Sequence, residues 1–239
     1  MTRPASIVGR SPAVRMGLSI AVATGLYGIS FGALAVAAGL SIWQALALSA
    51  LMFTGGSQFA FIGVVAGGGS GAAAWGAATL LGVRNAVYGM QMNRMLELRG
   101  WRKWLAAHLT IDESTATAAA QTQPAEQQRG FWTAGIGVFV LWNAFTLLGA
   151  WLGDALGDPR RWGLDGAAVA AFLGLLWPRL QQREPVALAV LCGVVTAVCV
   201  PWLPAGLPIL VAALVGAVWG LWRSKGQSAE HPQSTGAQP

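Results

Sequence analysis

A long stretch without charged residues constrains this chain more than any other feature. Between residues 16 and 83 there is no Asp, Glu, Lys or Arg. The hydrocarbon core of a bilayer is about 30 Å thick, and an α-helix needs about 20 apolar residues to cross it. The stretch is therefore long enough for about three membrane passes, and it predicts a membrane protein.

Two more charge-free stretches, residues 131–153 and 185–222, extend this pattern, and only 10% of all residues are charged. Strands cross a bilayer only as closed barrels with alternating polar and apolar residues, and that alternation is absent here. We therefore predict an all-α, polytopic helical membrane protein with about six to eight hydrophobic segments, including re-entrant or broken helices. The predicted segments are residues 16–38, 43–66, 72–93, 104–121, 131–153, 166–177, 186–200 and 209–222.

Short clusters of Lys and Arg predict the orientation of these segments. Basic residues concentrate on the cytoplasmic side of a membrane, so the net charge of +6 is interpreted as an orientation signal and no nucleic-acid partner is expected. If every cluster is cytoplasmic, segments 43–66 and 104–121 are re-entrant or interfacial and about six segments cross. The clusters lie in residues 3–15, 94–103, 179–183 and 223–225.

The same pattern predicts how the chain is divided. We expect a cytoplasmic N-terminal segment (residues 1–15), one transmembrane transporter domain (16–222) and a disordered cytoplasmic tail (223–239), which is polar and contains Pro and Gly. The predicted location is the cell (inner or plasma) membrane.

The stretch Gly55-Gly56-Ser57-Gln58 interrupts an otherwise apolar segment and predicts a broken helix. Many transporters bind substrates at broken helices, where freed backbone groups need partners. The N-terminus of a half-helix starting near Ser57 would suit an anionic carboxylate. The alternative is a glycine kink in which Ser57 and Gln58 bond to a neighbouring helix.

Ionisable residues at membrane depth are costly and need a partner or a watery cavity. We hypothesise that Arg84 is compensated by Asp112 or Glu113, with Asn85 beside it in a lined cavity. The alternative is that Arg84 reaches the interface and both acids are solvated. His108, four residues before Asp112, is expected on the same helical face.

Four short motifs, taken in their order along the chain, resemble those of the AzlC family of branched-chain amino acid permeases. They are Gly-Ala-Leu-Ala at 32–35, Thr-Gly-Gly-Ser-Gln-Phe at 54–59, Arg-Asn-Ala-Val-Tyr-Gly at 84–89 and Asp-Glu at 112–113. The usual family forms are close to Ala-Gly-Ala-Ser-Gln-Phe, Leu-Arg-His-x-x-Tyr-Gly and Thr-Asp-Glu. Asn85 stands where the family often has His, and Ile111 separates Thr110 from Asp112, which argues against a proton relay through a histidine beside Arg84.

The resemblance implies a secondary transporter that exports branched-chain or similar small amino acids, with a small membrane partner of the AzlD type and with lipid around it. Proton coupling is a hypothesis that fits buried carboxylates. No cofactor and no metal are expected. The predicted ion-coupling or charge-pair residues are Arg84, Asp112 and Glu113; the predicted substrate-binding residues are Gly55, Gly56, Ser57, Gln58, Phe59, Asn85 and Tyr88.

Two other functions compete with transport. An intramembrane serine hydrolase would use Ser57 as nucleophile and His108 as base, although Gln58 follows the serine where such a site would favour glycine. A non-transporting membrane scaffold would also account for the many closely spaced glycines. Enzymatic activity is not expected.

Overall fold

The computed structural model describes residues 11–156, 173, 176–177, 180–204 and 206–229, and every regular element in this part of the chain is helical. The predicted all-α fold is confirmed to that extent. The described helices fall into two compact units, one within residues 1–173 and one within residues 174–239, where the sequence predicts a single domain over 16–222. The predicted segment 166–177 lies almost entirely outside the described residues.

The first unit begins with two consecutive helices, α1 (Pro12–Leu26) and α2 (Gly28–Ala37), which are separated only at Tyr27. The Ser11 side chain accepts a hydrogen bond from the Val14 N–H and caps α1, and Pro12 occupies the first turn, where its missing N–H costs nothing. Ser11 Oγ also donates to Glu126 Oε2, in the first turn of the helix Pro124–Leu156. The first predicted segment is thus a helix with one short interruption.

Two further segments are broken, and one long helix lies between them in the chain. Helices α3 (Ile42–Leu51) and α4 (Gly56–Ala66) flank the first break, at residues 52–55, so the predicted interruption near Ser57 is confirmed. Helix α5 (Gly71–Leu96) follows. Helices α6 (Trp101–His108) and α7 (Asp112–Ala119) flank the second break, at residues 109–111.

The second break corrects the predicted position of His108. His108 ends α6 and Asp112 begins α7, so the two residues do not share one helical face. Ile111 is extended, and its N–H donates to Ser114 Oγ (3.0 Å), while Ser114 Oγ donates to the carbonyl of Leu109 (2.7 Å). The buried Ser114 hydroxyl therefore stabilises the non-helical turn that the sequence interpretation treated as continuous helix.

Helix α8 (Pro124–Leu156) is the central element of the first unit, and α1, α2, α3 and α7 all pack against it. Glycines allow these close contacts, as their spacing predicts. A Cβ atom on Gly28 would lie 2.6 Å from the Trp142 carbonyl oxygen, and one on Gly149 would overlap the carbonyl of Ile29. Small residues that recur every four positions, such as Gly28 and Gly32, let helix backbones approach closely where apolar burial alone does not drive association.

The second unit contains α9 (Arg183–Cys199) and α10 (Leu207–Ala229), which pack against each other. Arg223 Nε lies 2.7 Å from Glu184 Oε1, and Cys192 and Cys199 are free thiols. Helix α10 continues through Ala229, well into the predicted disordered tail. Helix extension adds one hydrogen bond for each residue ordered, so it runs past the end of the apolar stretch.

In the described part of the chain, two helical stretches are long and apolar enough to cross a membrane: Pro12–Ala37, which joins α1 and α2, and Pro124–Ala155 within α8. Shorter apolar helices span Ile42–Leu51, Gly56–Ala66 and Leu207–Arg223. The predicted total of about six crossings stays a prediction.

Substitution of Gly149 tests the close packing of α8 on α2. We expect Gly149→Ala to lower the free energy of unfolding by about 1–3 kcal/mol or more, because the new methyl group overlaps the backbone of Ile29, which cannot move aside. The measurement is the thermal unfolding midpoint in detergent. Gly63→Ala is the control, since a Cβ there meets nothing within 4 Å; equal midpoints for the two variants would contradict the packing.

Candidate functional site

The first break leaves the start of helix α4 without a side-chain cap. Gly55 precedes the helix with φ +61°, a conformation that favours glycine, and no side chain caps the helix. Gln58 N–H donates back to the Gly55 carbonyl (3.0 Å), so the amides of Gly56 and Ser57 come before the first backbone hydrogen bond of the helix. Such early amides and the helix dipole favour an anion.

A cleft of about 320 Å³ lies beside this helix start. Ser57 is only 1% exposed, yet its Oγ has no hydrogen-bond partner among the described residues. Buried hydroxyl groups in proteins are normally hydrogen-bonded, which makes this one available to a ligand. The cleft is lined by Met52, Thr54, Ser57, Trp75, Ala78, Thr79, Gly82 and Val83.

Arg84 connects the first break to helix α7. Its Nη2 donates to the Thr54 carbonyl oxygen (3.2 Å) and lies 2.8 Å from Asp112 Oδ2. A Cβ atom placed on Gly56 would be 3.3 Å from the same nitrogen, so the guanidinium lies directly against the start of α4. The structure thus brings together Gly55, Gly56, Ser57, Arg84 and Asp112.

Asn85, the next residue on α5, contacts the second break. Its Nδ2 donates to the Thr110 carbonyl oxygen (3.2 Å), and its buried Oδ1 has no partner among the described residues. Arg84 and Asn85, which are adjacent on α5, therefore donate to one backbone carbonyl each, Arg84 in the first break and Asn85 in the second. Neither Thr54 nor Thr110 was predicted as a contact of this pair, because sequence spacing does not show which breaks face α5.

The two acidic residues face different helices. Asp112 pairs with Arg84 on α5, whereas Glu113 Oε1 lies 3.5 Å from the Thr24 hydroxyl on α1. Both Arg84 and Asp112 are partly buried, with side chains 29% and 27% exposed. Only one of the two predicted carboxylates therefore forms the salt bridge with Arg84.

Three predicted binding residues lie elsewhere. Gln58 is fully buried, and its Nε2 donates to the carbonyls of Leu48 (3.3 Å) and Ser49 (3.1 Å), so it closes the end of α3. Phe59 packs in an aromatic cluster with Tyr27, Phe31 and Trp142. Tyr88 is half-buried one turn beyond Arg84 and is not a lining residue of the cleft.

The lining residues on α5 were missed by the sequence interpretation. Residues 75, 78 and 82 are three or four apart, as are 75, 79 and 83, so the five share one face of α5, and three of them are Ala, Thr and Gly. This spacing of small residues is the signal that could have indicated them, although the same pattern is typical of helix packing.

The hydrogen bond that a serine hydrolase requires is absent from the described part of the chain. His108 packs beside Phe53 and Phe139, with ring centroids 6.1 Å and 5.6 Å away, and Ser57 Oγ bonds to no side chain there. Among the described residues, no group of three His, Cys, Asp or Glu side chains is placed to hold a metal ion.

The family model described as AzlC protein matches residues 19–156, which include both breaks, Arg84 and Asp112. That range is more than half of the chain, so the protein belongs to the AzlC family. This is a membrane-associated family, and its function relates to the transport of branched-chain amino acids. No curated protein and no solved structure matches the chain.

Asp112→Asn tests how strongly the site depends on the ion pair. We expect this variant to lose about 1–3 kcal/mol of unfolding free energy, because a partly buried guanidinium loses its counter-charge. Arg129→Gln is the matched control, since the Arg129 side chain is half exposed and solvent screens its ion pair with Glu126, so that this variant should lose less. Thermal unfolding of both purified variants gives the comparison; an equal loss would contradict a special role for Asp112.

Proposed function

We propose that this protein is a secondary transporter that exports branched-chain or similar small amino acids across the cytoplasmic membrane. The observation that carries the proposal is the uncapped start of α4, where Ser57 lines a cleft beside Arg84 and its buried hydroxyl has no hydrogen-bond partner among the described residues. Family membership supports a transport function.

This end of the cleft suits a carboxylate. The amides of Gly56 and Ser57, the Ser57 hydroxyl and the positive end of the α4 dipole all attract negative charge, and the Arg84 guanidinium lies beside them. Charge-assisted hydrogen bonds of this kind are about twice as strong as neutral ones. A substrate carboxylate bound here would occupy amides that no side chain caps.

The other parts of the cleft suit a small apolar side chain. Met52, Ala78 and Val83 supply aliphatic surface, and Thr54 and Thr79 supply the remaining polar groups of the lining. The volume of about 320 Å³ is near the lower end of small-molecule pockets, which span about 300–1,000 Å³. The Asp112 carboxylate, held close to Gly56 by Arg84, is the group we assign to the substrate ammonium.

A multi-pass arrangement in the membrane is supported by the apolar faces that the helices present outward. Soluble proteins rarely expose such extensive apolar surface, whereas lipid requires it. Examples on α5 and α8 are Leu80, Val87, Met90, Ile136, Val140, Leu147 and Trp151, all at least 43% exposed. The resemblance to the permease family also leads us to propose a small AzlD-type membrane subunit as partner.

The unpaired Ser57 hydroxyl supports a ligand in the cleft. Ser57 Oγ is buried without a hydrogen-bond partner among the described residues, and Ser57 lines the cleft. A buried polar atom costs free energy unless a ligand or water pairs with it. A substrate carboxylate bound in the cleft would supply that partner.

Ser57→Ala tests the proposed carboxylate contact. A hydrogen bond to a charged group is worth about 1.5–3 kcal/mol, so we expect the apparent affinity for leucine to fall by about tenfold or more. Leucine efflux from membrane vesicles, with and without the AzlD-type partner, is the measurement. Ser30→Ala removes a hydroxyl from α2 in the same unit and should leave the affinity unchanged; an unchanged affinity in Ser57→Ala would refute the assignment.

Collapse of the proton gradient tests energy coupling. We propose that Glu113 exchanges the coupling proton, since its carboxyl faces the Thr24 hydroxyl while Asp112 forms the salt bridge. Leucine export by the wild type should fall when the gradient is removed, and Glu113→Gln should export at one rate with or without it. Glu97→Gln, at an exposed position after α5, should behave as the wild type. A wild-type flux that ignores the gradient would rule out proton coupling.

A further inference from the structure

The two ends of the cleft differ in chemistry. Ser57 and Thr54 form the polar end, beside Arg84, and Gly82 faces Ser57 across it, since a Cβ on Gly82 would lie 3.6 Å from Ser57 Oγ. Trp75 lies seven residues earlier on α5, which places it about 10 Å away along the helix axis. A small amino acid with its carboxylate at Ser57 would therefore direct its side chain along α5 toward Trp75.

The Trp75 ring, which is 55% exposed, contacts an aromatic neighbour on the facing helix. Phe61, on α4, contacts it edge to face, with ring centroids 5.4 Å apart and an interplanar angle of 74°. This geometry is the favourable one for two aromatic rings, because the positive edge of one meets the negative face of the other. Helices α4 and α5 also pack along their length, so the ring pair joins both walls of the cleft.

The α5 face between the two ends carries only small side chains. Ala78 is 2% exposed, and Thr79 and Gly82 complete this face of the cleft. The width of the cleft is therefore set by small residues, whereas an indole ring occupies its far end. An apolar pocket discriminates between substrates that differ by one methylene by about 10–200-fold.

We propose that Trp75, positioned by Phe61, sets the upper size limit for the side chain of the transported amino acid, so that aliphatic side chains are admitted and aromatic ones are excluded. This inference rests on the proposed function, because it takes the cleft to be the substrate site. Trp75 acts as the end wall of the cleft, and Thr79 sets its width.

The experiment measures transport of leucine, phenylalanine and alanine in vesicles, together with the thermal shift that each amino acid gives the purified protein. Trp75→Ala should raise the ratio of phenylalanine to leucine transport by about tenfold or more, and Trp75→Phe should raise it less. Thr79→Leu places a larger side chain at an exposed cleft position and should lower leucine transport relative to alanine by about tenfold. Trp43→Ala is the control, because Trp43 is 76% exposed on α3 and does not line the cleft.

Two results would overturn the inference, and they are distinguishable. If the wild type and Trp75→Ala both transport leucine with the same preference over phenylalanine, the size limit lies elsewhere while the proposed function stands. If the wild type neither transports nor binds any of the three amino acids, the proposed function itself fails. Should Trp75→Ala not fold, Trp75→Phe and Thr79→Leu test the inference instead. If the phenylalanine-to-leucine ratio of Trp75→Phe and the leucine-to-alanine ratio of Thr79→Leu both equal those of the wild type, Trp75 is not the end wall of the substrate site.

Discussion

The two breaks depend on one pair of adjacent side chains on α5. Arg84 donates to the carbonyl of Thr54 and Asn85 donates to the carbonyl of Thr110, so one helix turn serves both interruptions. Irregular backbone at membrane depth persists only where protein or water satisfies its polar groups, and each unsatisfied group costs several kcal/mol. The position of the cleft follows from this constraint, because Arg84 also brings Asp112 to the start of α4.

The hydrogen bonds around the first break separate structural polar groups from available ones. Gln58 turns back to the last turn of α3 and satisfies the carbonyls of Leu48 and Ser49, which a broken helix would otherwise leave without donors. Ser57, its neighbour, differs because it lines the cleft, and its buried hydroxyl has no hydrogen-bond partner among the described residues. Adjacent residues in one motif thus have different tasks: Gln58 stabilises the break, and Ser57 faces the cleft.

The elements that could be predicted from the sequence are those with a local cause. The charge-free stretches indicate helices, and Gly55 with Gly56 indicates the first break, because glycine lowers helix propensity wherever it occurs. The second break was missed, since its turn depends on the Ser114 hydroxyl bonding to Leu109 and Ile111, which composition does not show. Likewise, Phe59 belongs to a motif that resembles a binding site, yet tertiary packing places it among Tyr27, Phe31 and Trp142. The sequence alone did not show which distant segments contact each other in the fold.

The length of α8 has a consequence for the lipid environment. Its 33 residues give a rod about 50 Å long, whereas the hydrocarbon region is about 30 Å thick. In the membrane arrangement that we propose, the first turns, with Glu126 and Arg129, would extend into the headgroup layer, and the hydrogen bond from Ser11 to Glu126 would hold the beginning of α1 there. Because α1, α2, α3 and α7 all pack against α8, a thicker or thinner bilayer that changes the tilt of α8 would also move these helices. The acyl-chain length of the lipid would then affect the geometry of both broken segments.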